Sequence, residues 1–168
     1  LEKDTVVITH MSNLALENHL SYMGINAVRT DVGDRYVLEE IRNSGYNFGA
    51  EQSGHIIFGD YSTTGDGLVA ALQVLSILKE KNCKMSELAS VYQSNPQKLE
   101  NIELVGANPL EDPNFQDFII QKQQELGTRG RIFIRKSGTQ NLLRILVEHE
   151  SQEGLNQTME EILGNICS

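Results

Sequence analysis

Arg135, Ser137, Gly138 and Thr139, with Arg144 on the segment beyond, are residue types suited to holding a small anion. They lie in residues 129–144, RGRIFIRKSGTQNLLR. This stretch carries five of the chain's 14 Lys+Arg and no acidic residue, while the whole chain has a formal net charge of -9. A guanidinium offers paired N–H donors that match phosphate oxygens, and hydroxyls add further donors. Gly138 admits backbone conformations that turn successive N–H groups inward as an anion nest. The same residues would equally make a polar hairpin loop with solvated arginines, and the pattern alone leaves both readings open.

A second cluster lies in GAEQSGH, residues 49–55. Glu51, Ser53 and His55 stand at alternate positions, so on an extended segment a carboxylate, a hydroxyl and an imidazole point the same way. Glu51 and Ser53 would exchange hydrogen bonds with sugar hydroxyls, and His55 would assist proton transfer. Lacking G-x-S-x-G, the loop is not a nucleophile elbow. The competing reading is a capped turn with a structural histidine. In DVGDRY, residues 31–36, Gly33 precedes a helix and is placed to lie near a ligand. The helix dipole is reason enough for Asp34 there. His10, His19 and His149 are read as structural or solvated.

The elements that must position these loops follow from periodicity. TVVIT at 5–9 is a continuous β-branched run and predicts a buried, parallel strand. Ser12 or Asn13 caps a helix running to Met23 and stopped by Gly24. A strand at 25–29, a helix at 35–43 and short strands at 46–50 and 55–59 follow, the last two flanking the turn 51–54. Thr63 with Asp66 is a capping-box-like start for a long buried helix to about Lys81. A short helix at 85–92 and a polar linker at 93–98 come next. Beyond lie a strand at 99–105, a helix at 111–126 closed by Gly127, strands at 130–135 and 142–148, and a final helix at 153–166. In the paired strands, alternation sets Ile132 and Ile134 on one face of the first, and Leu143, Ile145 and Val147 on one face of the second. Arg135 and Arg144 are left on the opposite faces, able to approach the loop between them. The alternation of strand and helix in the first part implies a parallel sheet covered by helices, and the second part an α+β unit with an antiparallel pair.

Bulk properties narrow the function. With 39% hydrophobic and 22% charged residues the chain has the composition of a soluble globular protein with a proper core. The acidic balance argues against a nucleic-acid surface, which needs a broad basic face. The longest apolar stretch, LVAALQVLSIL at 68–78, is too short to span a membrane. Cys83 and Cys167 have neither CxxC spacing nor histidine partners at zinc-like spacing, which suits ordinary thiols in a reducing cytoplasmic compartment. No signal peptide is visible at the start.

Taken in order, VVITHMSNLALENHL, VGDRYVLEEI, GAEQSGHIIFGDYSTTGDGLVAALQVL and RKSGTQNLLRILVE closely resemble the bacterial phosphoglucosamine mutase family of the phosphohexomutase superfamily, over nearly the whole chain. The pair E-x-S-G-H and R-x-S-G-T in register is highly specific. The resemblance implies an α/β protein: a partial three-layer domain with a mostly parallel sheet, followed by a small α+β domain with an antiparallel sheet. Residues 1–92 would be the end of domain three, carrying the sugar-reading loop (Glu51, Ser53 and His55). Residues 93–168 would be domain four, carrying the phosphate-anchoring loop (Arg135, Ser137, Gly138 and Thr139, with Arg144 beyond). Family members interconvert the 6-phosphate and 1-phosphate of a hexose, here glucosamine, through a phosphoserine and a hexose bisphosphate intermediate. Mg2+ stabilises the charge of transfer. This places such an enzyme on the cytoplasmic route to UDP-N-acetylglucosamine.

Two departures stand out. The family loop reads R-P-S-G-T-E-P, whereas Lys136, Gln140 and Asn141 stand here in place of the two prolines and the glutamate, so a more mobile loop is expected. The chain also has no T-x-S-H-N-P phosphoserine loop and no D-G-D-x-D-R metal loop, and it starts at Leu1. It therefore reads as the C-terminal portion of a mutase. It is expected to bind phosphosugar weakly, to need the N-terminal domains as partners, and to be catalytically inactive alone, with its first strand as an exposed sheet edge. The alternatives kept open are a phosphomannomutase or phosphoglucomutase of the same superfamily, and a non-enzymatic module that binds phosphorylated ligands.

Overall fold

TVVIT forms β1 (Thr5–Thr9), buried at all five positions. In the computed structural model, which describes residues 1–104, 106–138 and 140–166, β1 is not the edge expected of it. It pairs in parallel with β2 (Asn26–Thr30) on one side and β3 (Phe48–Ala50) on the other. An antiparallel β4 (Ile56–Phe58) completes the order β2-β1-β3-β4. Buried on both faces, the strand has no exposed face for polar residues, which is why its sequence is continuous rather than alternating.

The chain divides into two units, Leu1–Gln93 and Ser94–Ser168. In the first, α1 (Leu14–Tyr22) begins at Asn13, whose side-chain oxygen accepts the Ala15 N–H at 3.0 Å. Helix α2 (Asp34–Ser44) ends on Gly45 in the left-handed conformation, φ 69. Val37 and Ile41 of α2 bury against Val7 and Ile57 as the core of this unit. Helix and sheet approach so closely that a Cβ on Gly49 would lie 2.5 Å from Val37 Cγ1. The strand that leads into the Glu51 loop is thus seated by a glycine.

Helix α3 (Gly67–Lys81) corrects an expectation. Its cap is Asp66, which accepts the N–H groups of Leu68 and Val69 at 2.8 and 3.1 Å, and not Thr63. It is also not buried: Leu68, Leu72 and Leu75 are 71%, 56% and 59% exposed, and Ala70 alone is buried. Apolar residues run around the whole helix, but one sheet can cover only one stripe of it. Helix α4 is a single turn, Met85–Leu88, shorter than the segment to Tyr92 that was expected.

The second unit is a three-stranded antiparallel sheet, order β5-β7-β6, with two helices. Strand β5 (Gln97–Glu103) takes in Gln97 and Lys98, which the polar composition had assigned to the linker. A 3-10 turn, Pro109–Glu111, precedes α5 (Pro113–Leu126), then come β6 (Gly130–Lys136), β7 (Leu142–His149) and α6 (Gln152–Ile166). Leu143, Ile145 and Val147 are fully buried with Phe115 of α5 and Leu155, Met159 and Ile162 of α6. Burial of each such side chain stabilises by about 1.5–3 kcal/mol. This fixes the face of β7 and leaves Arg144 on the other.

Candidate functional site

The first cluster is built by a tight connection. Strands β3 and β4 pair as far as Ala50 opposite Ile56. The five residues between them close by Glu51 N–H to His55 O at 2.9 Å and Gly54 N–H to Glu51 O at 3.0 Å. Gly54 has φ 95, a conformation that suits glycine alone. The side chains therefore converge through a turn and not along an extended strand, which corrects the reason given from spacing. Ser53 Oγ donates to Glu51 Oε2 at 3.3 Å, and His55 Nδ1 lies 3.1 Å from both Glu51 Oε2 and Ser53 Oγ. The Glu51 side chain is 6% exposed and that of His55 58%. The carboxylate is anchored at its other oxygen, where Oε1 accepts the Gly33 N–H at 2.8 Å.

These residues line a cleft of about 580 Å3 together with Thr9, Met11, Val32, Gly33 and Gln52. Its walls are the segments after the carboxyl ends of β1, β2 and β3. From β1 the chain leaves toward β2, and from β3 toward β4, so the cleft sits where the strand order reverses. That is the usual ligand position of an open parallel sheet. Gly33 was singled out from the sequence. Thr9, Met11, Val32 and Gln52 were not, and the signal that could have found the first two is their place at the end of a buried parallel strand. Arg35, in the first turn of α2, lies over the Tyr36 ring at 4.3 Å and donates to its hydroxyl. That hydrogen bond is the main cause holding the guanidinium above its ordinary pKa.

In the second unit, register sets Arg135 directly opposite Arg144, with Asn101 of β5 on the far side of Arg144. Like charges facing across a ladder are destabilising. Among the described residues neither arginine forms an ion pair, whereas Arg131 Nε lies 2.9 Å from Glu148 Oε2. Arg144 Nε is buried without a hydrogen-bond partner among the described residues. A buried donor left unpaired costs about 1–3 kcal/mol, and an anion would relieve both this cost and the repulsion.

Ser137 is buried, and its N–H donates to Leu142 O at 2.8 Å. Gly138 has no positive φ. Nothing lies within 4 Å of where its Cβ would be, so the missing side chain leaves open space beside the loop. The predicted hydroxyl of Thr139, the thiol of Cys167 and the end of the expected strand at Val105 lie outside the described residues. Among those described, no group of three His, Cys, Asp or Glu side chains could hold a metal ion. Nor is any helix among them long and apolar enough to cross a membrane.

Residues 1–94 match the family model of phosphoglucomutase/phosphomannomutase alpha/beta/alpha domain III, and residues 80–164 the model of its C-terminal domain. A phosphoglucosamine mutase of Parvibaculum lavamentivorans is 46% identical over 94% of this chain and 35% of its own length. One of Zymomonas mobilis is 47% identical over 96% of this chain and 36% of its own. The chain thus spans little more than a third of the curated relatives it matches. Among solved structures, the Aspergillus fumigatus N-acetylphosphoglucosamine mutase aligns with a TM-score of 0.80 at 19% identity, over 96% of this chain and 38% of that one. An N-acetylglucosamine-phosphate mutase in a substrate complex gives 0.74 at 21%, over the same shares. At such identities the likeness shows the fold: a mostly parallel sheet followed by an antiparallel one.

Proposed function

This chain belongs to the phosphoglucomutase/phosphomannomutase family, and on that premise we propose that it is the sugar- and phosphate-binding portion of a phosphoglucosamine mutase. Residues 1–92 read the sugar as the end of domain three, and residues 93–168 anchor the phosphate as domain four. The whole enzyme interconverts glucosamine 6-phosphate and glucosamine 1-phosphate, in the cytoplasm, on the route to UDP-N-acetylglucosamine. The observation that carries the reading is the cross-strand couple Arg135–Arg144, without an ion pair among the described residues, whose repulsion and buried Nε a phosphate would relieve.

Each residue has a task in this scheme. Arg135 and Arg144 hold the phosphate that is not reacting, with Ser137 and Thr139 as hydroxyl donors and Gly138 leaving room for close approach. Glu51 and Ser53 bind adjacent sugar hydroxyls and so choose the orientation of the ring. His55 presents Nδ1 to Glu51 Oε2 at 3.1 Å, which leaves Nε2 to exchange a proton with a substrate hydroxyl. Because the same clamp accepts either end of a bisphosphate, reorientation of the intermediate needs no second anchor. The phosphoserine belongs to the N-terminal domains, the partners of this chain. When bound there, Mg2+ would supply charge neutralisation during transfer; among the described residues of this chain no group of side chains fits as its ligands.

The test is a calorimetric titration of the whole chain with glucosamine 6-phosphate, glucose 6-phosphate and inorganic phosphate, wild type beside Arg135→Ala. Saturable binding that the substitution abolishes is expected. Binding that Arg135→Ala leaves intact overturns the assignment of the clamp. Turnover of glucosamine over glucose phosphates by the full-length enzyme checks the substrate.

A further inference from the structure

We infer that Asn141 is a positioning residue for the anion loop, tying it to β5 through a side-chain amide that takes the place of a ladder bond. The inference rests on the reading of Arg135 and Arg144 as a phosphate clamp. The β5–β7 ladder ends at Glu103 opposite Leu142. One step beyond, the Leu104 N–H donates to Asn141 O at 3.0 Å. In a regular antiparallel pair the return bond comes from the main-chain N–H. Here Asn141 Nδ2 supplies it, donating to Leu104 O at 2.8 Å.

Leu104 is itself packed on the core formed with Phe115 and Leu143. The tie therefore runs from a fixed point of the fold to the last residue of the loop. At the loop's other end the Ser137 N–H donates to Leu142 O at 2.8 Å. Ser137 and Asn141, the residues at the two ends of the loop, are thus each hydrogen-bonded to the sheet. A proline at position 141 would keep the carbonyl that accepts from Leu104 and would fix φ covalently. Asn141 contributes instead the second hydrogen bond.

The experiment uses the whole chain, with inorganic phosphate as the probe and amide hydrogen exchange followed by NMR. Asn141→Ala is expected to weaken phosphate binding roughly three- to tenfold, the worth of one net hydrogen bond, and to speed exchange at Leu104. Asn141→Pro is expected to bring the affinity back to within about twofold of wild type. A general loss of folding would not be repaired by that second variant. Arg135→Ala should abolish binding and leave Leu104 exchange unchanged. Unchanged Leu104 exchange in Asn141→Ala overturns the proposal whatever the affinity does. If wild type does not bind phosphate, the clamp is refuted, and faster exchange in Asn141→Ala still upholds the tie.

Discussion

Replacing Gly33 by alanine is expected to destabilise the first unit by about 2 kcal/mol and to unseat Glu51. Gly33 caps α2 at φ 135, ψ 133, a region that a residue with a Cβ occupies at a cost of about 1–3 kcal/mol. Packing is not the source of the cost, because the added Cβ would lie 3.4 Å from Tyr36 Cδ2, an ordinary contact. The chain then has two courses. It can keep the conformation and bear the strain, or it can rotate and give up the 2.8 Å hydrogen bond from the Gly33 N–H to Glu51 Oε1. A hydrogen bond to a charged group contributes about 1.5–3 kcal/mol, so both courses come to about the same loss. For a unit of this size 2 kcal/mol lowers Tm by roughly 8–16 °C. The assay is thermal and urea unfolding beside Gly67→Ala as control, a glycine at the start of α3 without positive φ and with open space around it. The imidazole resonances of His55 report whether Glu51 has moved. A Gly33→Ala protein that melts within about 2 °C of wild type, with His55 unshifted, refutes the reasoning.

Two further outcomes follow from the second unit. A Cβ on Gly154 would lie 2.2 Å from Cε1 and 2.4 Å from Nδ1 of the buried His149, the nitrogen that accepts the Ser151 N–H at 3.0 Å. Alanine inside a helix ordinarily gains up to about 1 kcal/mol over glycine, but here Gly154→Ala should cost about 1–3 kcal/mol as the ring is displaced; an unmoved urea midpoint would contradict this. Lys122 lies 2.7 Å from both Glu125 and Glu161. Its hydrogen bonds to Glu125 and then Glu161 raise its pKa, and Lys122, followed by Gln157, lowers that of Glu161. The lowered carboxyl stabilises above its unfolded pKa and loses that contribution as pH falls through its folded one. The raised ammonium stabilises below its unfolded pKa and loses its contribution as pH rises through its folded one. The α5–α6 tie should therefore contribute about 0.5 kcal/mol between roughly pH 5 and 10 and fade at both ends. A stability gap between wild type and Lys122→Met that stays constant from pH 3 to 11 would sink the assignment.

Much of this protein was written in local sequence. The β-branched run TVVIT gave a strand covered on both faces, and Gly45 stopped α2 where a left-handed residue was needed. Alternation in LLRILVEH set Leu143, Ile145 and Val147 on the core face and Arg144 on the opposite one. These follow from periods of two and 3.6 residues, which neighbours along the chain set between them. Other features depended on which segments became neighbours in space. Apolar composition on α3 foretold burial, yet only one stripe of it meets a sheet. Glu51 takes its anchor from the Gly33 N–H, eighteen residues earlier, because β1, β2 and β3 end on one side of the sheet. Arg135 faces Arg144, and Asn141 reaches Leu104, because β7 lies between β5 and β6 in one register. Residue types and their period fix what each segment can become; strand order and register, which minimise exposed apolar surface over the whole unit at once, fix which charges and donors come to share a site.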